Sequence, residues 1–415
     1  MIIIYSFLIN LLLIFSPFVL VYRLFKNKEH KTRFLEKLSF NLKKRENGKL
    51  IWFHTVSVGE LLSIIPLIEK IENNNQISQI LVTSSTLTSS ELFKKFKFKK
   101  TIHQFYPIDN NYFAKKFLDN WKPSIAIFVD SEVWPNMLIN LNKKKIITIL
   151  LNARISIKSF KRWKKLSFFS KNLFSKFNYT YPQNKETQKH LKKLGVKNIK
   201  LIGNLKFSQK RKIINSKNLQ LNNLSKNKKI WCAMSTHRGE EKICLEVYKN
   251  QIRKNKKIIL VIIPRHIHRI NEIKKEVNNY NLKFHLHSSK KKVSKDTNIY
   301  LVDTYGEAEN FFNLCKIVFI GKSLTNKGGQ NPLEAARHNC KIIHGPNISN
   351  FKEVYEMLDK KKLAKKIHSS YQLQKALSIY LSKKAINKSS NKKLYKLGNQ
   401  ILNDYYIELI KLLKI

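Results

Sequence analysis

The sequence predicts an α/β protein built from two similar halves, and three observations carry that reading. Short apolar, β-branched runs alternate with patterns that repeat at i, i+3 and i+4. The alternation breaks once, at a polar Lys/Asn-rich stretch, and then restarts. Finally, 415 residues with 43% hydrophobic content can bury a full core in each of two bodies near 200 residues. Strands that are apolar on both faces, each followed by a helix, call for a parallel sheet covered on both sides. Glycine and proline are too scarce (11 and 9) for a collagen-like or Pro-rich disordered chain.

The first element runs from Ile2 to Tyr22 and carries no charge. About 20 apolar residues cross a bilayer, so residues 1–22 read as a membrane anchor. A cleaved signal peptide would need a basic leader and a small-residue cleavage site, and the segment has neither. Arg23, Lys26, Lys28, Lys31 and Arg33 follow, which places the remainder in the cytoplasm. Asn10 and Pro17 interrupt the run and leave monotopic insertion as a second mode. Strand-like runs then read LIWFHTV, QILVTS, IAIFVD and KIITILLNA, with GELLSIIPLIEKI and NYFAKKFLDNW as amphipathic helices between them. These define an N-terminal domain at 23–208. A linker is expected at 209–228, then a second domain at 229–393 with KIWCAMS, KKIILVIIP, NIYLVD and KIVFIG as strands, and a last amphipathic helix at 394–415. Two such domains imply a cleft, with ligands at the carboxyl ends of strands.

The formal charge is +53, from 80 basic and 27 acidic residues, but only 11 of the 80 are Arg. Bidentate phosphate or base recognition favours Arg. The basicity therefore points to an anionic surface or substrate, and an RNA-binding signature is missing. Ser90 to Lys100 (SELFKKFKFKK) is either a docking element for such a surface or a solvated charge run. Four cysteines without CxxC or Cys/His spacing give neither a disulfide framework nor a zinc site.

Several junctions carry polar chemistry. Glu60 opens a helix directly after a strand and a Ser-Val-Gly turn. There it is either a helix-terminal carboxylate or a base that accepts a hydroxyl proton. Asp130-Ser131-Glu132 closes another strand, as ligand-orienting carboxylates or as an N-cap. Lys206 lies in GNLKF at the end of the first domain. In the second half, Ser235 to Glu241 is a strand-to-helix junction offering N–H groups to an anion. Arg265 and His266 follow the strand ended by Pro264; His237, His266 and His268 lack the carboxylate partner that would favour a metal. Gly328-Gly329 permit close backbone approach. A helix starting near Asn331 or Pro332, with Glu334 in its first turn, reads as a nucleotide-phosphate cradle without a Walker A loop.

Taken in order, HTVSVGE, YPID, DSEVWPN, LNARIS, GNLKF, STHRGEE, IPRH, DTYGEAE, GGQNPLE and HGP, behind an apolar N-terminus, resemble the 3-deoxy-D-manno-octulosonic acid (Kdo) transferases, glycosyltransferase family 30. The resemblance spans nearly the whole chain. It implies a GT-B architecture of two Rossmann-like domains facing a cleft. It also implies transfer of Kdo from CMP-Kdo to a lipid A precursor (lipid IVA) at the cytoplasmic face of the inner membrane, among anionic lipids, with no nucleic acid as partner. Glu60 then matches the general base, and Asp130 and Lys206 match positions that stabilise the transition state. The CMP contacts fall on Pro264, Arg265, Tyr305, Gly306, Glu307, Asn331, Pro332, Leu333 and Glu334.

Three positions depart from the family pattern. Asp130 replaces Glu and leaves Glu132 as a substitute, Lys322 replaces Gly, and Gln330 replaces His. The implied chemistry is a single inverting displacement. Arg265, Lys206 and helix N-termini meet the charge on the departing phosphate, and no metal or other cofactor is expected. Glu60 is expected to be a weak base at rest, its pKa rising when the acceptor desolvates it. The alternatives are a GT-B enzyme using a UDP-sugar, and a tethered basic RNA-binding protein.

Overall fold

The computed structural model of the chain describes residues 2–209, 221–325, 328–382 and 390–414; of the linker expected at 209–228, residues 210–220 lie outside the described residues. The chain divides into two compact units, Met1–Gln209 with Leu397–Ile415, and Lys210–Lys396.

The first unit runs α1 (Ile2–Phe25), β1 (Leu50–Thr55), α2 (Val58–Glu72), β2 (Gln79–Ser84), α3 (Leu87–Phe93), β3 (Thr101–Phe105), α4 (Asn111–Trp121), β4 (Ile125–Val129), α5 (Pro135–Lys143), β5 (Ile147–Ala153), α6 (Ile157–Lys165), α7 (Ser167–Phe174), β6 (Tyr179–Pro182) and α8 (Lys185–Lys193). Its strands form one parallel sheet in the order β3-β2-β1-β4-β5-β6. Every residue of β1 and β4 is buried, because both faces are covered. The strand period of two sorts their side chains. Leu50, Trp52, Ala126 and Phe128 pack against α4, α5 and α7, whereas Ile51, Phe53, Ile125 and Ile127 pack against α2. Each fully buried aliphatic or aromatic side chain contributes roughly 1.5–3 kcal/mol.

β3 and β6 were not among the expected strands. β3 (TIHQF) buries His103 and Gln104, which no apolar pattern announces. They are accommodated because Ser84 Oγ pairs with His103 Nε2 (2.9 Å) and Gln104 Oε1 accepts from Lys43 N (3.3 Å).

The second unit holds α9 (Asn222–Ser225), β7 (Lys229–Thr236), α10 (Glu240–Lys254), β8 (Ile258–Pro264), α11 (Ile270–Asn279), β9 (Phe284–Leu286), β10 (Ile299–Leu301), α12 (Ala308–Phe311), β11 (Ile317–Ile320), α13 (Leu333–Arg337), β12 (Lys341–His344), α14 (Lys352–Lys360), β13 (Ala364–Lys366) and α15 (Ser370–Ser382). These strands form a parallel sheet ordered β13-β12-β11-β7-β8-β10-β9. Both units are doubly wound, as the strand–helix alternation predicts.

The last helix, α16 (Ser390–Leu412), ends in the first unit. There Ile401, Tyr405 and Leu409 join the core under α2. The apolar helix α1 is long and apolar enough to cross a membrane, and it extends to Phe25, past the expected limit at Tyr22. Its few polar side chains bind the body of the first unit. Tyr5 Oη donates to Asp109 Oδ2 (2.9 Å), Ser6 Oγ to Asn136 Oδ1 (2.7 Å), and Asn110 Nδ2 to Asn10 Oδ1 (2.6 Å).

Within the Ser90–Lys100 stretch, Phe93, Phe96 and Phe98 pack against the core, and Glu91, Lys94, Lys95, Lys97 and Lys99 are exposed. All four cysteines are buried and free.

Candidate active site

In a doubly wound sheet, ligands bind outside the carboxyl ends of the strands where the strand order reverses. In the first sheet that point lies between β1 and β4. β1 leads through Val56 and Ser57 into Glu60, and β4 ends at Asp130. The reversal therefore brings together two segments that are 70 residues apart in sequence.

Glu60 is fixed by a capping box at the start of α2. Ser57 Oγ accepts from Glu60 N (3.3 Å) and donates to Oε1 (2.9 Å), while Oε2 accepts from Val56 N (2.7 Å) and Ser57 N (3.3 Å). Burial pushes its carboxyl above the ordinary glutamate value, against the pull of the Val56 N–H, and the negative charge of Asp130 adds to the rise. This corrects the expectation of a weak resting base, because the elevation is present without any acceptor.

Asp130 has φ +67°, a left-handed conformation that costs a non-glycine residue about 1 kcal/mol. Asp130 N donating to Leu151 O (3.0 Å) and Arg154 N donating to Asp130 O (2.9 Å) hold it there. Its Oδ2 accepts from Lys206 Nζ at 3.3 Å, so Glu60, Asp130 and Lys206 lie together at the reversal point. Glu132 joins them: Trp134 Nε1 donates to its Oε2 (2.9 Å), and His54 Nε2 stands 3.8 Å away.

The support of Lys206 was not visible in the sequence. Asn152 Oδ1 accepts from Leu205 N (2.9 Å), and Tyr405 Oη donates to Gly203 O (2.9 Å). On α16, a Cβ at Gly398 would lie 2.3 Å from Phe207 O, so only glycine lets that helix press on the lysine loop.

In the second unit the expected donor residues lie on the segments that follow the carboxyl ends of the strands. Pro264 ends β8 with Arg265 exposed beyond it, Tyr305-Gly306-Glu307 follow β10, and Asn331 to Glu334 follow β11. The helix expected near Asn331 or Pro332 is present, with Pro332 as its N-cap and Glu334 in its first turn, but it is short. The helix after Asn331 begins at Leu333 and lasts five residues, and Asn331 Oδ1 itself accepts from Leu333 N (3.1 Å), leaving little dipole to offer. At the Ser235–Glu241 junction the His237 N–H is not open to a ligand either, because Glu240 takes it. The buried Glu240 carboxylate accepts from His237 N (3.0 Å), Lys322 N (2.7 Å), Ser323 N (3.0 Å) and Leu324 N (3.0 Å).

Positive potential remains beside this edge. His237 is lowered to about 4, first by burial and then by Lys322, His266, Arg269 and Arg265. His237, Arg238, His266, His268, Arg269 and Glu272 line a depression of about 420 Å³ there. Among the described residues no cluster of three His, Cys, Asp or Glu is arranged to hold a metal ion. The amide of Gln330 lies 3.2 Å from His237 Nε2. Lys322 has φ +56°, which accounts for glycine being the usual residue at its position.

Known proteins resemble the chain along nearly its whole length. The family model for 3-deoxy-D-manno-octulosonic-acid transferase (kdotransferase) matches residues 31–209. The 3-deoxy-D-manno-octulosonic acid transferase of Rickettsia bellii is 33% identical over 98% of this chain and 98% of its own length. The transferase of the same description from Haemophilus influenzae is 27% identical over 85% of this chain and 83% of its own. A solved glycosyltransferase from Rickettsia africae superposes with a TM-score of 0.58 at 12% identity, covering 89% of this chain and 100% of that one. That likeness concerns the fold and fits a GT-B architecture. The end-to-end identity to the Rickettsia bellii protein goes further: the chain belongs to the Kdo transferases, a family of glycosyltransferases.

Proposed function

We propose that the chain transfers Kdo from CMP-Kdo to a lipid A precursor of the lipid IVA type, by a metal-independent, inverting displacement with Glu60 as general base. The observation that carries this reading is the Glu60 carboxylate. Backbone N–H groups hold it at the strand-order reversal, burial raises its pKa, and the Asp130–Lys206 pair converges on the same place. A base must lie within reach of the hydroxyl proton and have a pKa brought towards the working pH, and both conditions favour Glu60 over a purely structural cap. Lys206 supplies positive charge as the sugar's anomeric bond breaks, with Asp130 orienting it.

On the donor side, Arg265 is the cation for the single phosphate of a CMP-sugar. The loops at Tyr305–Glu307 and Asn331–Glu334 supply the remaining contacts to cytidylate and ribose.

The acceptor's lipid nature is supported by the apolar surface of α1, where Phe7, Phe18 and Phe25 are all exposed. Tyr5, Ser6 and Asn10 tie the start of α1 to the body, leaving residues 11–25, fewer than the ~20 needed to cross a bilayer. This favours a helix lying in the cytoplasmic leaflet of the inner membrane over a full span.

The test is product mass after incubating the full chain with CMP-Kdo and a tetra-acylated lipid A precursor, with and without chelator. Addition of one or more Kdo masses, unchanged by chelator, is expected. No product with CMP-Kdo but turnover of a UDP-sugar overturns the donor assignment.

A further inference from the structure

Three carboxylates share the reversal point of the first sheet, and among the described residues the ammonium group of Lys206 is paired with them. Their partners are unequal. Asp130 has Lys206 Nζ at 3.3 Å. Glu60 has the N–H groups of Val56 and Ser57 and the Ser57 hydroxyl. Glu132 has one indole N–H, from Trp134, at 2.9 Å. Glu132 also faces the His54 ring, fully buried and stacked on Tyr106 at 3.7 Å between centroids, with its Nδ1 3.0 Å from Thr83 Oγ1. His54 Nε2 has no hydrogen-bond partner among the described residues and faces Glu132 Oε2 at 3.8 Å. Full burial lowers His54 to about 3, so the imidazole is neutral and brings no compensating charge. Like charges held close cannot all ionise, and the proton settles where the donors are fewest.

We propose that Glu132 is a positioning residue that stores one proton beside the base, so that Glu60 and the Asp130–Lys206 pair stay charged at neutral pH. The proposal rests on Glu60 being the base. The titratable and charged groups that face Glu132 are Glu60 from α2, Asp130 from its own segment, Lys206 through Asp130, His54 from β1, and Tyr106 after β3. Burial first, then the charge of Glu60 and, more weakly, that of Asp130, raise Glu132 to about 7, against the Trp134 N–H. Ionising Glu132 puts an extra negative charge beside Glu60 and changes its basicity; protonating it removes that charge. The acid–base balance of the site therefore turns on the occupancy of this one proton.

The experiment reads that proton directly. Infrared difference spectra of the full-length protein between pH 5.5 and 8.5 are expected to show a carboxylic-acid C=O band that titrates near neutral pH. The band should be missing in Glu132→Gln and kept in Glu132→Asp. In Glu60→Gln it should persist with its midpoint moved to lower pH, because the like charge is gone. In parallel, the kcat/KM profile of the wild type should bend near pH 7, a bend that Glu132→Gln removes and Glu132→Asp restores. A band that survives in Glu132→Gln, a midpoint that ignores Glu60→Gln, or an unaltered bend in Glu132→Gln overturns the proposal. Whether Glu60→Gln abolishes turnover is read separately, so loss of the base assignment and loss of the proton store give different results.

Discussion

Lys206 Nζ lies 3.3 Å from Asp130 Oδ2, with the two side chains 17% and 8% exposed. Removing one partner of so sheltered a pair leaves the other charge uncompensated, at a cost of about 3–5 kcal/mol, whereas removing both restores neutrality. Lys206→Met is therefore expected to destabilise the protein by a few kcal/mol in denaturant unfolding and to lower kcat by about 10²-fold. The double variant Lys206→Met/Asp130→Asn should regain most of the stability and none of the turnover. Turnover restored in the double variant would show that the pair serves the fold alone.

Glu60→Gln keeps an acceptor oxygen for one side of the capping box, so its stability should fall by no more than about 1 kcal/mol. As the proposed base it should lose about 10²–10⁴-fold in kcat. The sign of the pH effect follows from the raised pKa: the base works when ionised, so kcat/KM rises with pH through that value. The acid limb is expected above the ordinary glutamate value of about 4.3. A limb at the ordinary value would remove the role assigned to burial.

Glu132 makes a separate thermodynamic prediction. Its folded pKa of about 7 exceeds its unfolded value, so the stability it contributes is fully present below about pH 4.5 and is lost as pH rises to 7. The swing is about 3 kcal/mol at most. Unfolding of wild type and Glu132→Gln across pH 5 to 8 should show the variant gaining on the wild type as pH rises. A constant difference counts against a buried, proton-holding Glu132.

The alternation of apolar strands and helices made both doubly wound units legible in the sequence, because the central strands are covered on both faces and read as unbroken apolar runs, unlike the edge strands β3, β6, β9 and β13. The motif order located Glu60, Asp130 and Lys206, and the S-x-x-E spacing from Ser57 to Glu60 already encodes the capping box. What stayed hidden depends on contacts distant in sequence. Nothing near Gly398 announces that its missing Cβ admits Phe207 O, nor that Tyr405 reaches Gly203, yet these contacts set the lysine loop. Glu240 was read as part of an anion-binding junction, and the same chemistry is satisfied internally, by N–H groups more than 80 residues downstream. Gly398→Val is accordingly expected to cost roughly 1–3 kcal/mol by overpacking and to lower kcat by displacing Lys206.

Glu240 collects four backbone N–H groups on one buried carboxylate, and bonds to a charged group contribute about 1.5–3 kcal/mol each. Glu240→Gln turns an amide N–H₂ towards donors that need an acceptor, and the Lys322–Leu324 loop should lose its position. Thermal protection by CMP-Kdo should shrink and the KM for donor should rise more than kcat falls. Donor binding as tight as in the wild type would separate this loop from the donor site.

The surface of α6 bears on the proposed membrane contact. The helix buries none of its residues, carries Lys158, Lys161, Arg162, Lys164 and Lys165, and stands beside exposed Ile157, Leu166 and Phe168, the last 88% exposed. Its Phe160 and Trp163 rest on the same core cluster that Ile2 of α1 touches, so both apolar surfaces belong to one layer of the first unit. Basic side chains beside an anionic leaflet contribute about 1 kcal/mol each, and this arrangement suits an interfacial helix. Replacing Lys161, Lys164 and Lys165 by Gln removes about 3 kcal/mol of that attraction, or roughly 10²-fold in partitioning. Flotation with phosphatidylglycerol-containing vesicles should show this loss, growing smaller as salt is raised, while binding to phosphatidylcholine vesicles changes little. Phe168→Ser should weaken binding to both. If the triple variant floats as well as the wild type at low salt, α6 faces water, and α1 alone accounts for the membrane-facing surface.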